Sequence, residues 1–225
     1  MAGSPVRETS RGDPELVSTR FMRCTSEHED ALRREGYSLV GGADEAGRGA
    51  LFGPVYAAAV ILDPGRPVRG LADSKALSPA RREELACAIR ANAVSWAVGS
   101  ADAAEIDLIN IYQASRLAIR RAVEALLPAP DFLLIDALTI EWPGPQRGII
   151  KGDAQVECIA AASILAKTSR DACMRTLDPL YPGYGLARHK GYPTREHHEA
   201  LRRLGVTDLH RQSYAPVAAA LQAAR

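Results

Sequence analysis

The residues best suited to do chemistry are Asp44 and Glu45, two adjacent carboxylates followed at once by Gly47-Arg48-Gly49. Carboxylate oxygens suit hard divalent cations such as Mg²⁺ and Mn²⁺. The two glycines let backbone approach a ligand closely and take up positive φ. Apolar stretches flank the acids, residues 37–40 before and 54–62 after, so the pattern is a strand entering a tight loop with acids at the boundary. On spacing alone, an Asp-Glu pair ahead of glycine reads equally well as a solvated hairpin turn.

Two later segments break that tie. Leu133-Leu134-Ile135 closes on Asp136, and Ile149-Ile150-Lys151-Gly152 closes on Asp153. Either aspartate alone reads more readily as the cap of a following turn, yet an acid straight after a buried run is costly without a purpose. Ligands of an open parallel sheet gather beyond the carboxyl ends of its strands. Asp44, Glu45, Asp136 and Asp153 therefore converge if the first and fourth strands are parallel neighbours. Four acids at one place repel unless cations lie between them, so the pattern asks for metal.

The elements that would position these acids follow from periodicity. Residues 37–43 and 54–62 read as an antiparallel hairpin, because the connection is short. Ser78 ahead of Pro79 marks a helix start for residues 79–92. A third strand covers residues 94–100. Helical spacing of apolar residues runs through 103–127 and ends at Pro128. Residues 132–135 and 148–150 read as buried parallel strands. Residues 156–177, almost free of charge in their first half, form a helix packed on the sheet. Residues 20–34 give a weak amphipathic helix, 195–204 a short charged one and 215–224 the last.

Composition bounds the rest. With 28 Lys and Arg against 27 Asp and Glu, net charge neither announces nor excludes a nucleic-acid partner. A hydrophobic content of 47% is globular, and no apolar run approaches the roughly 20 residues of a membrane helix. Residues 1–20 read as a flexible polar tail without a secretory core, and residues 21–225 as one domain. Four cysteines without a Cys-x-x-Cys pair fit reduced thiols and a cytoplasmic location. His189, His197, His198 and His210 lack zinc-site spacing and are expected on a solvated or nucleic-acid-facing helix. Ser74, Lys75, Lys167 and Arg170 are candidates for phosphate contacts, and Asp171, late in a helix beside Arg170, is expected in an ion pair or a helix-turn contact.

Taken in order, the segments Gly42-Ala43-Asp44-Glu45-Ala46-Gly47-Arg48-Gly49, Asp73-Ser74-Lys75, Ile106-Asp107 with Asn110-Ile111, Ile135-Asp136-Ala137, Lys151-Gly152-Asp153, residues 161–167 with Arg170-Asp171, and His189-Lys190-Gly191-Tyr192-Pro193-Thr194 resemble the type 2 ribonuclease H family, ribonuclease HII. The match extends from about Phe21 to Pro216. The resemblance implies an α/β ribonuclease H-like fold, a mixed five-stranded sheet flanked by helices, with a C-terminal helical segment over about residues 178–225. It implies a four-carboxylate site at Asp44, Glu45, Asp136 and Asp153 holding two Mg²⁺ or Mn²⁺ ions. The substrates implied are RNA-DNA hybrids and duplex DNA containing ribonucleotides, cut to leave 3′-hydroxyl and 5′-phosphate ends, as in ribonucleotide excision repair. Gly47, Arg48 and Gly49 would meet the ribonucleotide, and Tyr192 the sugar of the following deoxynucleotide. No obligate protein partner and a monomer are expected.

The chain departs from the family's usual wording at Ala50, where a proline is frequent, and at Phe52, where a small residue is usual. A type 3 ribonuclease H is the enzymatic alternative; it would need a sizeable N-terminal substrate domain and usually lacks the arginine between the glycines. A non-catalytic relic of the fold would be expected to have lost at least one acid. An unrelated Mg²⁺-dependent phosphoryl-transfer enzyme would carry a Gly-x-x-x-x-Gly-Lys-Ser/Thr loop, which is missing.

Overall fold

The computed structural model describes residues 24–223; the expected tail over residues 1–20 lies outside them. Elements follow in the order α1 (Glu27–Arg34), β1 (Val40–Ala46), β2 (Val55–Ile61), α2 (Pro79–Asn92), β3 (Ser95–Ala101), α3 (Ala103–Glu124), β4 (Phe132–Asp136), β5 (Gln146–Ile149), α4 (Glu157–Leu177), α5 (Leu186–His189), α6 (Arg195–Leu204) and α7 (Ala215–Ala223). The five strands form one sheet in the order β3-β2-β1-β4-β5. β1 is antiparallel to β2 and parallel to β4, and β4 is parallel to β5. The expected mixed five-stranded sheet flanked by helices is therefore present, with the first and fourth strands as parallel neighbours.

Period-2 alternation divides β2 between two cores. Ala57, Ala59 and Ile61 face α3 with Ile106, Ala118 and Ile119. Ala58 and Val60 face α4 and α2 with Ala161, Ile164, Leu165 and Leu85. Helix α4 is wholly buried from Cys158 through Ala162 and again from Ile164 to Ala166, which explains its alanines. Its backbone lies against β1: a Cβ on Gly42 would overlap the main chain at Cys158.

Three expectations change. β1 runs three residues further than the apolar pattern, because Asp44, Glu45 and Ala46 stay paired with Ala58, Ala57 and Tyr56. β5 is an edge strand with Arg147 and Gly148 exposed, not a buried one. The long helix α3 is broken at Asn110 (φ 65°, ψ 164°), whose Oδ1 accepts the Tyr112 and Gln113 amides and restarts the helix. None of the described helices is long and apolar enough to cross a membrane.

Candidate active site

β1 and β4 are in register through Ala43 and Ile135, so the next residue on each strand is an aspartate. Asp44 and Asp136 thus leave the sheet side by side. Asp153 reaches them from a 3₁₀ turn over Gly152–Ala154. That turn is tied to the end of β4 by the Gly152 amide, which donates to Asp136 Oδ1 at 2.7 Å. From behind, the Cys24 thiol donates to the Asp153 carbonyl at 3.3 Å. The result brings one carboxylate oxygen from each of Asp44, Asp136 and Asp153 within 4.8 Å of one another.

Electrostatics agree with the geometry. Burial first, then the neighbouring Glu45 and Asp136, push Asp44 well above the usual carboxylate range. Burial likewise raises Glu45 and Asp136. Glu45 stands slightly apart from the three aspartates: its Oε1 accepts from Arg48 Nη1 at 3.1 Å, while its buried Oε2 has no partner among the described residues. Crowded acids that resist ionisation beside an unpartnered carboxylate oxygen fit a hard cation bound among them. Among the described residues, the ammonium within ion-pair distance of the cluster is that of Lys75, whose Nζ lies 3.4 Å from Asp153 Oδ2.

These acids open into a cleft of about 540 Å³ lined by Asp44, Glu45, Gly47, Arg48, Gly49, Ser74, Lys75, Asp136, Lys167 and Tyr192. Every residue expected at the site except Asp153 and Arg170 is on that wall, and Asp153 joins through the carboxylate cluster. Gly47 takes the positive φ expected of the loop, 99°. Gly49 does not, and a Cβ there would meet open space. The loop is fixed from beneath at Arg48, whose carbonyl accepts from Arg211 Nη1 at 2.8 Å and from the Tyr214 hydroxyl at 2.6 Å. Opposite, the half-buried Tyr192 ring lies over two cations, 5.2 Å from Arg170 Cζ and 5.6 Å from Lys167 Nζ.

Two expected roles do not survive. Arg170 cannot meet phosphate directly: it is fully buried and donates to the carbonyls of Lys190, Pro54 and Phe52. His197 and His210 are also fully buried rather than solvated: their rings bond to each other, His197 to the Tyr192 carbonyl and His210 to the Thr207 amide. Ser74 is buried against Ser163 at 3.0 Å, and Lys167 is bound to Asp171 at 2.7 Å, the expected ion pair. Sequence reading missed Ser163 and Arg82, which also line the cleft. Arg82 holds the Ser74 loop through the carbonyls of Ser74 and Leu77, both at 2.7 Å. Nothing in the sequence separates it from its neighbour Arg81.

Acids grouped at the ends of neighbouring parallel strands in a 3-2-1-4-5 sheet define a protein of the ribonuclease H-like class. The fold matches the ribonuclease H2 of Pyrococcus horikoshii OT3 with a TM-score of 0.71 at 24% identity, over 83% of this chain and 98% of that one. It matches the ribonuclease HII of Archaeoglobus fulgidus, in a structure of its complex with PCNA, with a TM-score of 0.67 at 24% identity, over 79% and 95%. The family model for Ribonuclease HII matches residues 41–217. The Ribonuclease HII of Solibacter usitatus (strain Ellin6076) is 58% identical over 198 residues, 88% of this chain and 87% of that protein. The chain belongs to the ribonuclease HII family, whose members are divalent-metal-dependent endonucleases acting on the RNA of RNA-DNA hybrids.

Proposed function

We propose that this chain cuts both the RNA strand of RNA-DNA hybrids and duplex DNA on the 5′ side of an embedded ribonucleotide, with Asp44, Glu45, Asp136 and Asp153 as catalytic metal ligands. The observation that carries this reading is the convergence of Asp44, Asp136 and Asp153 within 4.8 Å beside the unpartnered Glu45 Oε2. Asp44 and Asp136 are the central ligands. Glu45 and Asp153 would each complete one ion's shell, directly or through water. Two bound Mg²⁺ or Mn²⁺ ions would supply an activated water and stabilise the departing 3′ oxygen. The ends left are a 3′-hydroxyl and a 5′-phosphate, and no protein nucleophile is required.

The chain's own residues select the bond. The Gly47, Arg48 and Gly49 backbone reaches the 2′-hydroxyl that distinguishes RNA from DNA, with open space above Gly49 for the sugar. Tyr192 packs on the sugar of the next deoxynucleotide, where an aromatic face disfavours a second hydroxyl. Lys75 and Lys167 steer phosphates. Ser74 acts by holding Ser163 beside Asp44. This activity belongs to ribonucleotide excision repair in the cytoplasm, carried out by one catalytic domain over residues 21–225. A monomer without an obligate protein partner is part of the proposal; the PCNA complex of the Archaeoglobus neighbour names a partner to test by co-elution.

The test is a DNA duplex carrying one ribonucleotide, incubated with Mg²⁺, with Mn²⁺ and with chelator, beside Asp136→Asn. The wild type should cut at the ribonucleotide only with metal, and the variant should be silent. Equal cleavage by the variant, or none by the wild type with either metal, overturns the reading.

A further inference from the structure

His197 in α6 and His210 in the loop before α7 are fully buried and do not line the cleft. Their hydrogen bonds decide where each ring carries its proton. The Thr207 amide donates to His210 Nδ1 at 3.0 Å, so this nitrogen is a bare acceptor and the neutral ring is protonated on Nε2. His197 Nδ1 lies 3.0 Å from the Tyr192 carbonyl oxygen. A carbonyl only accepts, so His197 is protonated on Nδ1 and presents a bare Nε2. The two Nε2 atoms are 3.2 Å apart, one with a hydrogen and one with a lone pair.

Donation therefore runs one way, from the Thr207 amide through His210 and His197 to the carbonyl of Tyr192. Its surroundings keep both rings neutral. His189 stacks on His197 with centroids 4.6 Å apart, and is itself satisfied by the Gly191 amide at Nδ1 and the Tyr184 carbonyl at Nε2. Phe52 meets His210 edge-on at 4.9 Å. The other titratable groups facing the pair are Tyr184, its ring centroid 5.2 Å from that of His210 and 6.5 Å from that of His197, and His198 and Asp208. A proton added to His197 would set two N–H groups against each other across the Nε2 contact, and one added to His210 would set its Nδ1 against the Thr207 amide.

We propose that His210 and His197 form a directional hydrogen-bond relay that positions Tyr192 and thereby sets the preference for an embedded ribonucleotide over a continuous hybrid. This rests on the reading of Tyr192 given above. Both are positioning residues. The turn carrying Tyr192 has left-handed backbone at Lys190 and Gly191, and its carbonyl also accepts the Thr194 amide at 2.8 Å. The imidazole supplies a second donor, which fixes the orientation of the peptide plane and hence of the ring opposite Gly47.

The experiment compares kcat and KM on a single-ribonucleotide duplex and on an RNA-DNA hybrid for His197→Phe, His197→Asn, His210→Gln and Tyr192→Ala. Loss of one buried donor predicts about a tenfold fall in kcat/KM for His197→Phe on the single-ribonucleotide duplex, through KM, with the hybrid nearly unchanged. His197→Asn, whose amide nitrogen replaces Nδ1, should restore most of it. Equal losses on both substrates, or no rescue by asparagine, overturn the relay. Should Tyr192→Ala be selective and neither His197→Phe nor His210→Gln, the relay alone falls; should Tyr192→Ala be indifferent, the reading of Tyr192 falls and takes the relay with it. Should His197→Phe not fold, the ¹⁵N NMR tautomers of the wild type decide: opposite tautomers for His197 and His210 are expected, and identical ones overturn the relay.

Discussion

Arg170 lies directly behind Gly47, its guanidinium filling the space that any side chain at Gly47 would need. The cation is pinned there by carbonyls of Lys190 (2.9 Å), Pro54 (3.3 Å) and Phe52 (3.3 Å). One buried side chain thus supports the Gly-Arg-Gly loop from beneath and the Tyr192 turn from the side.

Gly47→Ala should accordingly be severe. It forces a methyl into Arg170 at a φ of 99°, and such overpacking with backbone strain removes roughly 2–4 kcal/mol of stability. Thermal unfolding and cleavage should both fall, whereas Gly49→Ala should keep the melting temperature and lose cleavage alone. An unchanged melting temperature for Gly47→Ala would contradict the contact.

Asp44→Asn should stabilise the metal-free protein while abolishing cleavage. Burial and the neighbouring acids raise Asp44 in the folded state, so ionising it opposes folding as pH rises through that raised value. Removing the charge should raise the melting temperature at pH 8 in chelator. Differential scanning fluorimetry checks this, together with the disappearance of the stabilisation that Mg²⁺ gives the wild type, about 2.7 kcal/mol at a hundredfold excess over Kd.

Metal binding should release protons. Asp44, Glu45 and Asp136 all retain protons above the ordinary carboxylate range, and a cation must displace them. Affinity for Mn²⁺ should fall as pH drops, beginning above that range. Calorimetry in buffers of different ionisation enthalpy reads the proton count directly, and no buffer dependence would refute the coupling.

The buried histidines give the opposite sign. Burial lowers His197 and His210 to about 4 from 6.5, so the unfolded chain takes up their protons first. Their contribution is complete above pH 6.5 and is lost as pH falls from 6.5 to about 4. Urea unfolding across that window should show the loss in the wild type and a flatter curve for the His197→Asn, His210→Gln double variant; the difference between the two removes the acids' contribution.

Local signals in the sequence proved reliable where one residue decides a boundary. Ser78 accepts the Arg81 amide and starts α2 at Pro79, as its type and the proline imply. Strand-end aspartates were legible because an acid after a buried run has few other uses. What stayed hidden depends on distant partners. Asp44 and Glu45 remain within β1 because β2 pairs with them after β4 has stopped pairing. The break at Asn110 leaves the helical spacing of α3 intact on either side. Arg170 reads as a surface residue because the Pro54 and Phe52 carbonyls that help bury it come from far earlier in the chain, and His197 and His210 do so because each is buried against the other across the loop that separates them.

Arg211 repeats the device seen at Arg170: it is fully buried and donates to the carbonyls of Gly53 and Arg48. Burial lowers its pKa to about 10, which still leaves it charged at neutral pH. A chain with a formal net charge of only +1 therefore keeps two cations behind the loop that faces the cleft. Mobile ions screen Lys75 at the surface far more than charges enclosed by protein. Part of the pull on a phosphodiester should thus persist at ionic strengths that silence the surface lysines.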